Sequence, residues 1–242
     1  MKPRLAAVIL GLSIAATLTG CATAPGSPDP YEPFNRKVYN FNEGLDKRVL
    51  QPAAKGYRAT VPEFVRTSIG NVFSNVGDVR NVLNNTLQGK FATAYGDLGR
   101  ILINSTIGVL GLFDIASEAG IEKHNEDFGQ TLAVWGAPRG PYLVLPLLGS
   151  SNVRDGFGTA VDFATDPLSL VNPVGAQLAV QGTRVVDTRA GLLDAGNLLN
   201  TAALDNYLFV RDIYLQRRES LVRDGRMAAD VEAAYRELRA GD

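Results

Sequence analysis

Large apolar side chains recur along most of this chain at steps of three and four residues, the period of one helical face. Phe34, Val38, Phe41, Leu45 and Val49 form the first stripe, with Asn35, Asn40, Asn42 and Glu43 elsewhere around the cylinder. Asp29-Pro30 and Glu32-Pro33 mark its start, because proline is tolerated in a first helical turn, and Gln51-Pro52 is expected to end it. A second helix is predicted from Thr60-Val61-Pro62-Glu63, a capping-box spacing in which Thr60 and Glu63 satisfy orphan amides reciprocally. Phe64, Ile69, Val72, Phe73, Val76, Val79, Leu83 and Leu87 extend it. Gly89 to Arg100 opens a third helix with Phe91, Tyr95 and Leu98 on one side. After Ser150-Ser151-Asn152, a cap-like cluster, Leu178, Val185, Leu192, Leu193, Leu198 and Leu199 predict a long helix or a broken pair, with Arg184 and Arg189 on its polar side. Tyr207, Val210, Ile213, Tyr214 and Leu221 predict a last helix closed by Gly225. No stretch sustains alternation at period two, and no Asn-Gly or Asp-Gly turn separates two β-branched runs. The chain is therefore predicted to be all-α, one domain of amphipathic helices.

Two segments depart from this pattern. Ile101 to Phe113 carries no charge, is broken by Gly108 and Gly111, and is closed by Asp114. It is too short to span a bilayer, which leaves a buried core segment or a re-entrant, interfacial element. Trp135 to Gly149 is also apolar, but its glycines and prolines forbid a long regular helix. Trp135 and Tyr142 are amphipathic rings of the kind that sit at membrane interfaces. For either segment alone, core packing is the default reading.

The N-terminus changes that weighting. Lys2 and Arg4 precede Leu5 to Leu18, an uncharged stretch of signal-peptide length that ends in Leu18-Thr19-Gly20-Cys21. That ending is similar to a bacterial lipobox, which implies cleavage after Gly20 and acylation of Cys21. Cys21 is the sole cysteine, so no disulfide within one molecule accounts for it. The following residue is Ala22 rather than Asp, the pattern of outer-membrane sorting in diderm bacteria. Residues 21–29, rich in small and proline residues, are expected to be a lipidated tether. In a chain held at a bilayer, lipid contact by the two apolar segments becomes competitive with core packing.

Charge and motifs exclude several function classes. Losing Lys2 and Arg4 from 24 basic residues leaves 22 against 25 acidic ones, a net charge of −3, with no basic footprint for nucleic acid. There is no Gly-x-Ser-x-Gly elbow, and no Walker or dinucleotide motif. His124 is the only histidine, so any Ser-His-Asp triad depends on it, yet Glu122-Lys123-His124-Asn125-Glu126-Asp127 has the composition of a solvated polar loop. Glu118, Glu122, Glu126 and Asp127 lack an EF-hand spacing, and no cysteine-histidine cluster suggests zinc. No catalytic residue, metal or cofactor is expected. A purely structural envelope lipoprotein and a phospholipase remain as alternatives.

Several blocks in order carry a resemblance. Asp29-Pro30-Tyr31-Glu32-Pro33-Phe34-Asn35-Arg36 and Tyr39-Asn40-Phe41-Asn42 come first, then Asn104-Ser105-Thr106-Ile107-Gly108 and Gly111-Leu112-Phe113-Asp114. Asp127-Phe128-Gly129-Gln130-Thr131-Leu132, Gly140-Pro141-Tyr142, Leu145-Pro146 and Arg154-Asp155 follow. Together they resemble the MlaA (VacJ) family of outer-membrane lipoproteins, over residues 30–225, leaving 226–242 as an unmatched tail, frayed or disordered. The resemblance implies a flattened helical ring in the outer membrane with an amphipathic central channel. It implies a mobile hairpin beside that channel, corresponding to Asn104, Ile107, Gly108, Val109, Leu110, Gly111, Leu112 and Phe113. It further implies association with trimeric porins, and removal of misplaced outer-leaflet phospholipid to a soluble periplasmic carrier similar to MlaC.

Overall fold

The first apolar stripe forms helix α1, Glu32–Leu45, with Pro33 in its opening turn. The computed structural model describes residues 29–224, so the signal segment, Cys21 and the tail from Gly225 lie outside the described residues. Asp29, expected in the tether, is already fully buried and accepts hydrogen bonds from Asn35 and Tyr207.

The chain does not leave its helix at Gln51-Pro52. One π turn, Asp46–Leu50, passes directly into α2, Gln51–Thr60. The Gln51 N–H bonds the Asp46 carbonyl five residues back, and Pro52 falls in the first turn of α2. The wide turn thus accommodates a residue that lacks an N–H and crowds an ordinary helix. The expected capping box is also absent. Pro62 occupies the cap position of α3, Glu63–Leu87, and the Thr60 hydroxyl turns back to the Gly56 carbonyl at 2.8 Å. Thr60 closes α2 instead of opening α3.

Helix α3 and α4, Phe91–Thr106, form a hairpin packed along most of its length, turning at Gly89 with φ +77°. A knuckle at 107–113 leads to the short α5, Ile115–Glu118, and an irregular stretch to α6, Phe128–Val134. The chain is helical as predicted, with one small two-stranded sheet among the described residues. Tyr142–Leu145 (β1) and Gly149–Asn152 (β2) pair antiparallel, with Tyr142 opposite Asn152 and Leu145 opposite Gly149. Four-residue strands are too short to show a period. Their turn is held from outside, by Asn42 of α1 bonding the Leu145 carbonyl and the Leu147 N–H. Asn152 caps α7, Val153–Thr165, by accepting from the Asp155 N–H at 2.9 Å, as its sequence predicts. A 3₁₀ turn, Pro167–Leu170, precedes α8, Val174–Gly191, and α9, Leu193–Ala202, the broken pair. The last helix, α10, runs Asn206–Val222.

The interior is the reverse of an ordinary globular core. Its apolar clusters are small, Ala54 with Ala190 and Leu193, and Tyr142 with Val144 and Tyr207. Asn75, Asp78, Asn81, Asn85, Asp97, Arg100 and Asn104 are all buried. Meanwhile Phe64 and Tyr95 are 74% and 79% exposed. Helix α4 states the inversion by itself. Ala94, Asp97, Arg100 and Asn104 point inward, whereas Phe91, Tyr95, Leu98 and Leu102 point outward. Exposed apolar surface on this scale marks contact with lipid or another protein. Among the described residues no helix is long and apolar enough to cross a membrane.

Candidate functional site

The knuckle at 107–113 is built on a polar foundation. Arg100 grips Asp114 with two bonds of 2.8 and 2.9 Å and also donates to the Ser117 hydroxyl and the Ile121 carbonyl. Asn104 donates to Asp114 at 2.9 Å and accepts from the Ala116 N–H at 2.9 Å. Burial favours the neutral Asp114 carboxyl, but bonds from Ser117, Asn104 and Arg100 outweigh it and hold the group at about 2, below its ordinary 3.8.

Above this base the backbone folds tightly, with the Gly111 N–H on the Asn104 carbonyl and the Phe113 N–H on the Gly108 carbonyl. Val109, Leu110 and Gly111 take φ of +53°, +56° and +86° in succession. Only glycine adopts that region without steric cost, so Val109 and Leu110 are held there by their surroundings. A Cβ on Gly108 would stand 2.3 Å from the Phe113 carbonyl oxygen, and one on Gly111 2.9 Å from Asn75 Cβ. The glycines are thus places of close approach. Ile107, Val109, Leu110, Leu112 and Phe113 all point outward, Leu110 being 76% exposed. Asn71 and Asn75 of α3 strap the knuckle down through the Leu112 carbonyl and the Ser105 hydroxyl.

The same polar seam continues along α3. Asn81 bonds Asp78, the His124 carbonyl and the Glu126 N–H, laying the 121–127 segment against the helix. Lys123 binds Asp78 and the Ser74 carbonyl. The solvated loop expected at Glu122 to Asp127 is therefore corrected. Glu126 is buried and accepts from Gln88 and Lys90, and Asp127 caps α6 and pairs with Arg218. The N-cap Asp127 and the packing groups Lys123 and Glu126 share one stretch, which mere polarity does not reveal. His124 Nδ1 lies 2.9 Å from Asp97, and among the described residues no serine hydrogen-bonds this imidazole.

The second apolar segment divides. Trp135 is 55% exposed, donates from Nε1 to the Leu87 carbonyl at 3.0 Å, and sets its ring edge-on to Phe128. Its ring lies at the surface. Tyr142 does not. It is 1% exposed, packs against Tyr207 and Tyr214, and its hydroxyl meets Ser150 at 2.8 Å. The strand register turns it inward, and so it is a core residue rather than an interface ring.

A cavity of about 700 Å³ opens beside β2 and between α7, α8 and α10. Leu147, Leu148, Phe163 and Val185 give it an apolar wall; Arg80, Asp162, Arg184 and Arg218 give it a charged one. Arg218 joins Asp127 and Asp155, and the Tyr214 hydroxyl donates to Asp155 at 2.8 Å. Gly129 and Gly158 let α6 and α7 touch there, since a Cβ on Gly158 would stand 2.4 Å from the Gly129 nitrogen. Burial pushes the Asp162 carboxyl up to about 6, against the opposing pull of the Phe128 N–H and the Arg80 charge. Arg80 and Asp162 carried no signal in the sequence beyond their charge, because three separate elements bring them to one wall.

The polar seam, the outward apolar surface and the ordered blocks between Asp29 and Asp155 now stand together. The family model for the MlaA lipoprotein matches residues 27–221. The chain belongs to the MlaA lipoprotein family. The intermembrane phospholipid transport system lipoprotein MlaA of Escherichia coli K12 is 33% identical over 242 residues, covering 94% of this chain and 92% of that relative. An uncharacterized protein of Rickettsia typhi is 34% identical over 195 residues, covering 80% of this chain and 78% of the relative. A solved chain from work on the structural basis for maintenance of bacterial outer membrane lipid asymmetry superposes with a TM-score of 0.70. That chain is 32% identical, with 80% of this chain and 98% of it covered.

Proposed function

We propose that this MlaA-family chain is an outer-membrane lipoprotein of intermembrane phospholipid transport. It removes mislocalised phospholipid from the outer leaflet and passes it to a soluble periplasmic carrier similar to MlaC, preserving lipid asymmetry. Cys21 carries the acyl anchor, a trimeric porin is the membrane partner, and the reaction is transfer without chemistry on the lipid. The observation that carries this reading is the inverted polarity of the fold. A buried seam of asparagine, aspartate and arginine beneath outward Phe, Tyr and Leu is stable where the surroundings are hydrocarbon. An amphipathic cavity suits the same task, because a phospholipid in transit needs polar contact for its headgroup and apolar contact for its tails. The knuckle from Ile107 to Phe113, with its outward aliphatic side chains, is a lipid-contacting element.

The His124–Asp97 pair gives a phospholipase little support, since among the described residues no serine hydrogen-bonds this imidazole. A structural scaffold has no need of an amphipathic cavity. Deleting the gene from its own bacterium and labelling surface phosphatidylethanolamine with a membrane-impermeant amine reagent tests the proposal. Labelling should rise in the deletion strain and fall again on complementation with the full chain. Unchanged labelling in the deletion strain would overturn the transport reading.

A further inference from the structure

The charges on the cavity wall are not equivalent. Arg184 is held by Asp166 at 2.6 Å, and Arg189 is held by both oxygens of Asp46 at 2.6 and 2.8 Å. Arg218 is shared between Asp127 and Asp155. Each of these guanidiniums would have to release a carboxylate to take an anionic ligand. Arg80 would not. Its Nε donates to the Glu126 carbonyl at 3.1 Å, and among the described residues no carboxylate lies within ion-pair distance of it. Asp162 is its counterpart. Its two oxygens each accept from the Phe128 N–H at 3.2 Å, and no described cation lies within ion-pair distance. The two groups are near enough for the Arg80 charge to favour the ionised Asp162. The cavity therefore presents one guanidinium and one carboxylate, neither neutralised by an ion pair, beside the aliphatic wall of Leu147 and Leu148.

We propose that Arg80 and Asp162 form a headgroup site for a zwitterionic phospholipid, the guanidinium taking the phosphodiester and the carboxylate taking the amine. This assignment rests on the transport reading above. A guanidinium with unused N–H groups matches phosphate oxygens in a fork, and partial removal from water strengthens the pairing. A purely anionic headgroup would gain from Arg80 but be repelled by Asp162. A zwitterion satisfies both, while Leu147 and Leu148 receive the first methylenes of its chains.

The test uses the full, acylated chain in mild detergent, titrated separately with dihexanoyl phosphatidylethanolamine, dihexanoyl phosphatidylglycerol and inorganic phosphate. Wild type should prefer the ethanolamine lipid. Arg80→Gln should weaken both lipids about tenfold or more, the scale of a lost charged hydrogen bond, and Arg80→Lys should recover part of the loss. Asp162→Asn should weaken only the ethanolamine lipid, about tenfold, and so erase the preference. Wild-type affinity for both lipids in Arg80→Gln would overturn the site and leave the transport reading intact. A preference that survives Asp162→Asn would overturn the amine assignment. If wild type binds neither lipid, the transport reading fails with it. Inorganic phosphate bound as tightly as lipid, and lost in Arg80→Gln, would make the ligand a free anion and overturn the lipid assignment. Should Arg80→Gln unfold, Arg80→Lys decides, because undiminished binding there would overturn the guanidinium fork.

Discussion

Ile101 to Phe113 and Trp135 to Gly149 look alike as strings of apolar residues broken by glycine, yet the fold uses them in opposite ways. In the first, every large side chain from Ile107 to Phe113 is outward and everything beneath is polar, from Asn104 and Asp114 to the buried Arg100. In the second, Trp135 stays at the surface, Tyr142 and Val144 enter the core, and Leu147 and Leu148 emerge at the cavity. The difference lies in what each segment packs against. Helix α3 presents Asn71 and Asn75 to the first, and polar partners bind backbone and polar atoms while leaving the aliphatic groups outside. Tyr207 and Tyr214 of α10 receive the second, and aromatic rings pack on aromatic rings. Apolarity alone, then, does not decide which side of a segment is hidden.

The largest effect should come from breaking the foundation of the first segment. Arg100→Met leaves Asp114 and Asp78 without their shared guanidinium, at a cost of about 3–5 kcal/mol for a broken buried pair. Heat unfolding of the detergent-solubilised chain should show a correspondingly lower midpoint, and an unchanged midpoint would mean the seam is not what holds the knuckle. Tyr142→Leu ranks next. It forfeits ring–ring contacts and the Ser150 hydrogen bond, together about 2 kcal/mol. Were Tyr142 an interface residue, the same variant would keep its stability in detergent.

Acidity separates the regions further. The Asp162 carboxyl is raised from 3.8 to about 6, so between those pH values the folded chain holds a proton that the unfolded chain has lost. Its contribution to stability is complete below 3.8 and disappears as pH rises through about 6. Asp114 has the opposite sign, because its contribution is complete above 3.8 and disappears as pH falls through about 2. Unfolding midpoints measured at pH values across that range should flatten between 3.8 and 6 in Asp162→Asn, relative to wild type. An identical profile in both proteins would refute the role of Asp162.

The smallest effect on stability is expected for Leu110→Asp, within about 0.5 kcal/mol in detergent, because the side chain contacts little protein. In the cell the same variant should accumulate normally but fail to lower outer-leaflet phospholipid, since a carboxylate entering hydrocarbon costs about 3 kcal/mol. Low abundance would instead place Leu110 in a protein interface or core. Replacing Gly108 by Ala is a poor probe of mobility, because the added methyl collides with the Phe113 carbonyl.

The sequence by itself determined most of the helices, the cap at Asn152 and the family, because each is encoded within a few neighbouring residues. The apolar period located α1, α3, α4 and α10 and gave each a polar and an apolar side. It did not say which side faces in. In α4 the polar side does, a choice settled by partners far along the chain such as Asp78, Asp114 and His124. The inward turn of Tyr142 and the burial of Glu126 were likewise decided by packing from other elements. Arg80 and Asp162 belong to the same class. Their meeting at one cavity wall depends on the close approach of α6 and α7 at Gly129 and Gly158, a long-range contact that no local pattern of residues records.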